Sequence, residues 1–333
     1  MPVEALLKPQ AMVLAMLALA GEPMGRKRLH EHLAPLFDNS FTEAALAEEL
    51  AAMRAQGLVK DQVGRGFVIA PDAVWPAIAA AIKYGSLENL SACYWRAAEV
   101  RMDWQGKPML RSYRQGVALL RITLLIGEGP KEVAPLLDAC LRCHEAAYMH
   151  PLVEICAHPF VPDLIDRINP ALRDDVLAVL VSHVQREPRD APMVRAYAED
   201  YVSQNGASMA LRTALAEHYI LCGQLDAAAA MLDDLDDSAQ LFFSSVIALL
   251  RGEDGEAFAG FDKALKALRR ETGKRKAVFG GIGGYLYVAA LLRSDDPKHQ
   301  KAAESYLDSA VRAVQSHDTA VYQQLSMLRH IRA

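Results

Sequence analysis

The sequence predicts a mainly all-α protein, with a small winged-helix domain followed by an α-solenoid of tetratricopeptide-like helical hairpins. Three observations predict it. The first 70 residues read as three helices and a Gly-tipped pair of strands. From Trp75 onward apolar residues recur at helical spacing between Gly, Pro and Asp clusters, with no convincing strand. The 333 residues include 55 alanines, which bring helices close at little entropic cost.

Composition narrows the class further. A content of 52% hydrophobic residues excludes disorder, and a length of 333 suggests about two domains. Five Cys is a small, odd number, which excludes a disulfide scaffold. The longest apolar run, Ala11 to Ala20, falls well short of the roughly 20 residues a bilayer-spanning helix needs, so no membrane partner is expected. A net charge of -5 gives no general attraction to nucleic acid, so any such contact must be a local patch. Ala18-Leu19-Ala20 imitates an export cleavage site, but Glu4, a lone Lys8 and Pro9 suit the start of a buried helix better. A cytoplasmic protein is the expectation.

The elements follow in order. The first helix runs from Pro9 to Ala20 and is broken by Gly21-Glu22-Pro23. A second fits Arg26 to Leu36. A third opens at Thr42, a good N-cap with Glu43 at the dipole-positive end. It carries Leu46, Leu50 and Met53 on one face and stops at Gly57. Leu58 to Lys60 and Phe67 to Ile69 are strands joined by Gly64-Arg65-Gly66. Three helices and a hairpin look like a winged helix. Its third helix bears Glu43, Glu48 and Glu49 against Arg54, which repels phosphate and favours protein packing over duplex reading. A wing contact would rest on Lys60 and Arg65.

Residues 1–72 form this domain, 73–168 a helical linker with the first hairpins, and 169–333 the repeats. The repeats are Ala171 to Gln204 broken at Pro188, Ala210 to Leu235 broken at Gly223, Ser238 to Arg270 broken near Gly252, and Tyr285 to Val314 broken at Pro297. Their spacing approaches the roughly 34-residue tetratricopeptide period. Leu215, Tyr219, Gly223, Ala227 and Ala228 resemble that repeat, although its Trp and terminal Pro are missing. Hairpins that cannot bury their own apolar faces stack on their neighbours, and such arrays bind peptides or domains.

Candidate chemistry is sparse. Cys140-Leu-Arg-Cys143-His144 matches the c-type haem attachment spacing, but it lies inside a helical pattern and has no export signal. With His150, Cys156 and His158 it makes a Cys/His cluster with partial zinc spacing, yet no second CxxC completes a site. Buried Cys acting as small apolar residues is the expectation, with no cofactor. Gly273-Lys274-Arg275 fails the phosphate-loop pattern at its Ser/Thr, and Gly280 to Gly284 follows no strand, so close helix packing is expected there. No nucleophile–base set or carboxylate pair stands out, so no enzyme is expected. The strongest feature is basic: Lys263, Lys266, Arg269, Arg270, Lys274, Arg275 and Lys276 place seven cations in 14 residues. Lys263, Lys266 and Arg270 share a helical stripe, and the patch could meet phosphate or an acidic partner.

Three stretches together resemble the N-terminal, non-motor region of large bacterial SNF2-type helicase-like ATPases. They are Gly21-Glu-Pro-Met-Gly-Arg26, His150-Pro-Leu-Val-Glu-Ile-Cys-Ala-His-Pro-Phe160, and Lys274 to Tyr287. The motor's phosphate loop and acidic box are not in this chain. The resemblance therefore implies an accessory module that docks a protein partner or a helicase motor in cis, with DNA or RNA contact through the basic patch. The alternative is a winged-helix DNA-binding regulator with a helical sensor domain.

Overall fold

A computed structural model of the protein describes residues 8–37, 40–184, 191–233, 238–279 and 281–314. Among them the chain is mainly helical, with 17 α-helices and four short strands. It forms two compact units, Met1–Arg173 and Asp174–Ala333.

The N-terminal unit is built around one helix. α1 (Lys8–Ala20) is apolar on every side and buried from Met12 to Ala20. A helix with no polar face needs neighbours all round it. They are α2 (Arg26–Leu33), α3 (Glu43–Ala55), α4 (Pro71–Lys83), α5 (Leu87–Ala98) and α6 (Tyr113–Leu125). Segments 1–72 and 73–168 therefore share one core. The second helix ends at Leu33, three residues before the expected Leu36, and continues as a 3-10 turn over Ala34–Phe37. The third starts where its cap predicts: Thr42 Oγ1 accepts from the Ala45 N–H at 3.2 Å.

β1 (Val59–Gln62) and β2 (Gly66–Ile69) pair antiparallel, with Val59 opposite Ile69. A further partner was not visible in sequence. Met24, between α1 and α2, exchanges two backbone hydrogen bonds of 2.9 Å with Phe67. Gly66 permits this approach: its φ is +109°, and a Cβ there would lie 2.4 Å from the Met24 carbonyl.

The expectation of no strand beyond Trp75 is corrected. β3 (Arg101–Met102) and β4 (Pro108–Met109) form a small hairpin. Asp103 closes its turn by accepting from the Gln105 and Lys107 amides at 2.8 Å, and Gly106 takes φ +74°. Two-residue strands leave no alternation to read, and the turn chemistry was the only signal. Trp104 stands at its tip, 90% exposed.

α7 (Pro130–Leu141), α8 (Pro151–Cys156) and α9 (Pro162–Arg167) complete this unit against α6. Arginines tie helix ends together. The Arg121 guanidinium on α6 donates to the carbonyls of Leu19 at 2.9 Å and Ala18 at 3.3 Å, closing α1, whose last turn also holds Gly21 N–H to Leu17 O. Burial draws the Arg121 pKa down while nearby Glu154 and Cys156 oppose it. Arg167 and Asn169 close α6 in the same way, donating to Leu125 O and Gly127 O at 3.2 Å each.

The C-terminal unit is a series of helical hairpins. α10 (Pro170–Val184) and α11 (Ala191–Asn205) come first, linked by a hydrogen bond from Tyr201 to Asp174; the expected break at Pro188 lies outside the described residues. α12 (Met209–Leu221) with α13 (Leu225–Leu232), α14 (Ser238–Leu250) with α15 (Asp254–Thr272), and α16 (Gly281–Arg293) with α17 (Pro297–Val314) follow. The expected breaks at Gly223 and Gly252 are left-handed turns with φ +72° and +84°. The hairpins begin at Pro170, Met209, Ser238 and Gly281, so their step is unequal.

Helix ends are again capped from a distance. Tyr201 Oη donates to Asp174 Oδ1 at 2.8 Å, while the other carboxylate oxygen of Asp174 accepts from the Ser208 N–H at the N-terminus of α12. Glu271, which the sequence showed only as an acid among cations, accepts from both the N–H and the hydroxyl of Ser238, at 3.1 and 2.6 Å. It caps α14 with negative charge at the dipole-positive end.

Candidate anion-binding groove

The groove grows out of the α14–α15 pair. Gly260 lets these helices close up, since a Cβ there would lie 2.2 Å from Ser245 Oγ. α15 then runs on to Thr272 and ends at Gly273 with φ +65°, which turns the chain into a loop. The loop is pinned at Phe279, whose N–H donates to Tyr306 Oη at 2.6 Å. The Phe279 ring packs on Phe242 at 4.3 Å and meets Tyr287 edge-on at 5.5 Å. Tyr287 and Tyr306 meet edge-on at 4.8 Å. This aromatic core fixes the floor, and the cations stand on its rim.

The groove has a volume of about 620 Å³. On α15 it is lined by Asp262, Leu265 and Arg269, three positions that fall on one helical face. The loop adds Arg275 and Lys276, and α17 adds Ser305, Asp308, Ser309 and Arg312. Tyr287 and Tyr306 close it from below. None of the four cations forms an ion pair within the described residues. Tyr287 is 4% exposed, and its hydroxyl makes no hydrogen bond among the described residues. Burial pushes the Tyr287 pKa up to about 12, helped by the Asp262 charge and opposed by Arg269. The hydroxyl is therefore a donor at neutral pH. Burial likewise raises Tyr306.

The structure divides the basic run found in sequence. Arg269, Arg275 and Lys276 enter the groove. Lys263, Lys266, Arg270 and Lys274 are exposed but do not line it. The stripe of Lys263, Lys266 and Arg270 lies roughly 40–120° round α15 from Asp262 and Arg269, at about 100° per residue. Sequence reasoning missed Arg312 and Tyr287. Their only local signal is helical phase, because their proximity to the loop depends on how α16 and α17 pack.

The remaining candidates lie in the N-terminal unit. Lys60 and Arg65 are exposed on the β1–β2 hairpin. Cys140 is buried on α7 against Gly116, where a Cβ would come within 2.6 Å of its sulfur. Cys156 is also buried on α8, Cys143 is half-buried, and His144 is exposed with its ring edge-on to Tyr148 at 5.3 Å. Burial pushes the Cys140 and Cys156 thiols up to about 12. No group of three or more His, Cys, Asp or Glu side chains arranged for a metal ion occurs among the described residues. The expected helix start at Tyr285 moves to Gly281, so the glycines form the first turn of α16. Gly284 is needed there, since a Cβ would lie 2.7 Å from Phe279 O.

Comparison of the chain with protein-family models, with curated proteins and with solved structures gives no match. Among the described residues no helix is long and apolar enough to cross a membrane.

Proposed function

We propose that this chain is a non-catalytic interaction module that docks a polyanionic partner through the α15–α17 groove. The observation that carries the reading is the convergence of Arg269, Arg275, Lys276 and Arg312, from two helices and a loop, on one groove without ion pairs among the described residues. In a chain of net charge -5, such a local concentration favours an anion. The partner is an acidic protein segment, a helicase motor in cis, or nucleic acid. The N-terminal helices and β1–β2 hairpin are read as a winged helix, and the C-terminal hairpins as a tetratricopeptide-like array. The likeness to the accessory region of SNF2-type ATPases agrees with a module that carries no motor.

The winged helix is read as a packing element, because the exposed face of α3 carries Glu43 and Glu48 against Arg54. Retention on a heparin column tests the groove. Arg275→Glu with Lys276→Glu elutes at clearly lower salt than wild type. Lys263→Glu with Lys266→Glu, the same change in net charge on the flank, shifts elution much less. Equal shifts would leave only general electrostatics and overturn the groove.

A further inference from the structure

We propose that the groove binds the phosphodiester backbone of an unpaired nucleic-acid strand and does not read its bases. This rests on the polyanion reading above and names the polyanion.

The charge pattern comes first. Arg269 on α15, Arg275 and Lys276 on the loop, and Arg312 on α17 reach one recess from separate elements, and these four cations outnumber the carboxylates of the described lining. Three of the four cations are arginines, whose planar forks match phosphate oxygens in pairs. The Tyr287 hydroxyl and the Ser305 and Ser309 hydroxyls add neutral donors on the floor and wall.

The walls argue against a peptide. They are helices and a loop, so no strand edge is offered for main-chain pairing among the described residues. Ring stacking and adenine reading have no instrument. The tyrosine rings are 4% and 5% exposed and locked edge-on in the aromatic core, so no ring face is free for stacking. The described lining contains no Asn or Gln, the side chains that pair with adenine edges. A recess of about 620 Å³ between two helices and a loop admits a flexible strand better than the convex side of a duplex.

Fluorescence anisotropy on the full chain tests this. The probes are labelled oligo(dT), oligo(dA) and oligo(rU) of about 20 nucleotides, longer than the sites of comparable grooves. A duplex of the same length and polyglutamate are the competitors. The expected result is that oligo(dT) and oligo(dA) bind within about twofold of each other. Their affinity falls about 50-fold between roughly 50 and 200 mM salt, as four phosphates at about 0.7 each in log–log slope require. Arg275→Gln with Lys276→Gln leaves two contacts and a fall of only about sevenfold. Tyr287→Phe, which keeps the ring, weakens binding about 10- to 100-fold, as loss of one hydrogen bond to a charged group requires.

The oligo(rU) arm tells ribose from deoxyribose, and binding of either strand type supports the proposal. Polyglutamate binding without strand binding overturns the proposal and leaves the polyanion reading standing, whereas binding of neither overturns both. A duplex that competes as well as the strand, a tenfold preference between oligo(dT) and oligo(dA), or an unchanged salt slope in the double Gln variant each overturns it.

Discussion

Arg121 is the clearest place to test the packing logic of the N-terminal unit. Its guanidinium donates to Leu19 O at 2.9 Å and Ala18 O at 3.3 Å, and it occupies the space next to Gly21, whose φ is +61°. Arg121→Met keeps the aliphatic packing and strands two carbonyls at the end of a buried helix. A hydrogen bond from a charged donor contributes about 1.5–3 kcal/mol, and the second, longer contact less. Removing the cation returns part of its desolvation cost, so the net loss is about 3 kcal/mol. With a urea m-value of about 2 kcal/mol/M, the midpoint falls by roughly 1.5 M.

The assay is selective. All three tryptophans, Trp75, Trp95 and Trp104, lie in this unit, so their fluorescence follows its unfolding alone. A second variant sharpens it. Gly21→Ala places a methyl 2.3 Å from Arg121 Nη1 in a left-handed conformation. It costs about 2–4 kcal/mol in wild type, but only the backbone term of about 1 kcal/mol once Arg121 is Met. A midpoint shift under about 0.3 M for Arg121→Met, or strict additivity of the pair, would refute the capping argument.

Other outcomes follow from the same geometry. His32 is buried, its Nδ1 donates to Arg28 O at 2.7 Å, and burial draws its pKa below 6.5 despite Glu22 and Glu31 nearby. The unfolded chain therefore takes up this proton first as pH falls. Tryptophan-monitored stability is full above about pH 6.5 and declines below it by up to about 1.4 kcal/mol per pH unit, until the folded-state pKa is passed. His32→Gln should flatten that slope, and an unchanged slope would assign it elsewhere. Glu271→Ala removes the cap on α14 and should cost about 1–2 kcal/mol, measured by circular dichroism on the C-terminal hairpins; a neutral result would mean that water serves Ser238 equally well. With a thiol reagent, exposed Cys222 reacts at once and Cys143 more slowly, while Cys93, Cys140 and Cys156 wait for unfolding. Fast modification of Cys140 or Cys156 in the folded protein would contradict their burial.

The sequence by itself determined the mainly helical character and most of the local boundaries. Thr42 and Gly57 bound α3, and Gly223 and Gly252 mark turns, because caps and positive φ are set by residues within one turn of the chain. It also marked the basic run, since charge density along a chain needs no fold to be seen. Only the tertiary structure decided which of those cations matter together. Arg269 and Lys266 are three residues apart, yet one faces the groove and the other solvent, and Arg312 and Tyr287 join from helices whose placement depends on the aromatic core. The same holds for Met24 pairing with Phe67, for Arg121 closing α1, and for Glu271 capping α14. Each links residues between 33 and 103 positions apart. Local propensity carries no information at that range; packing supplies it.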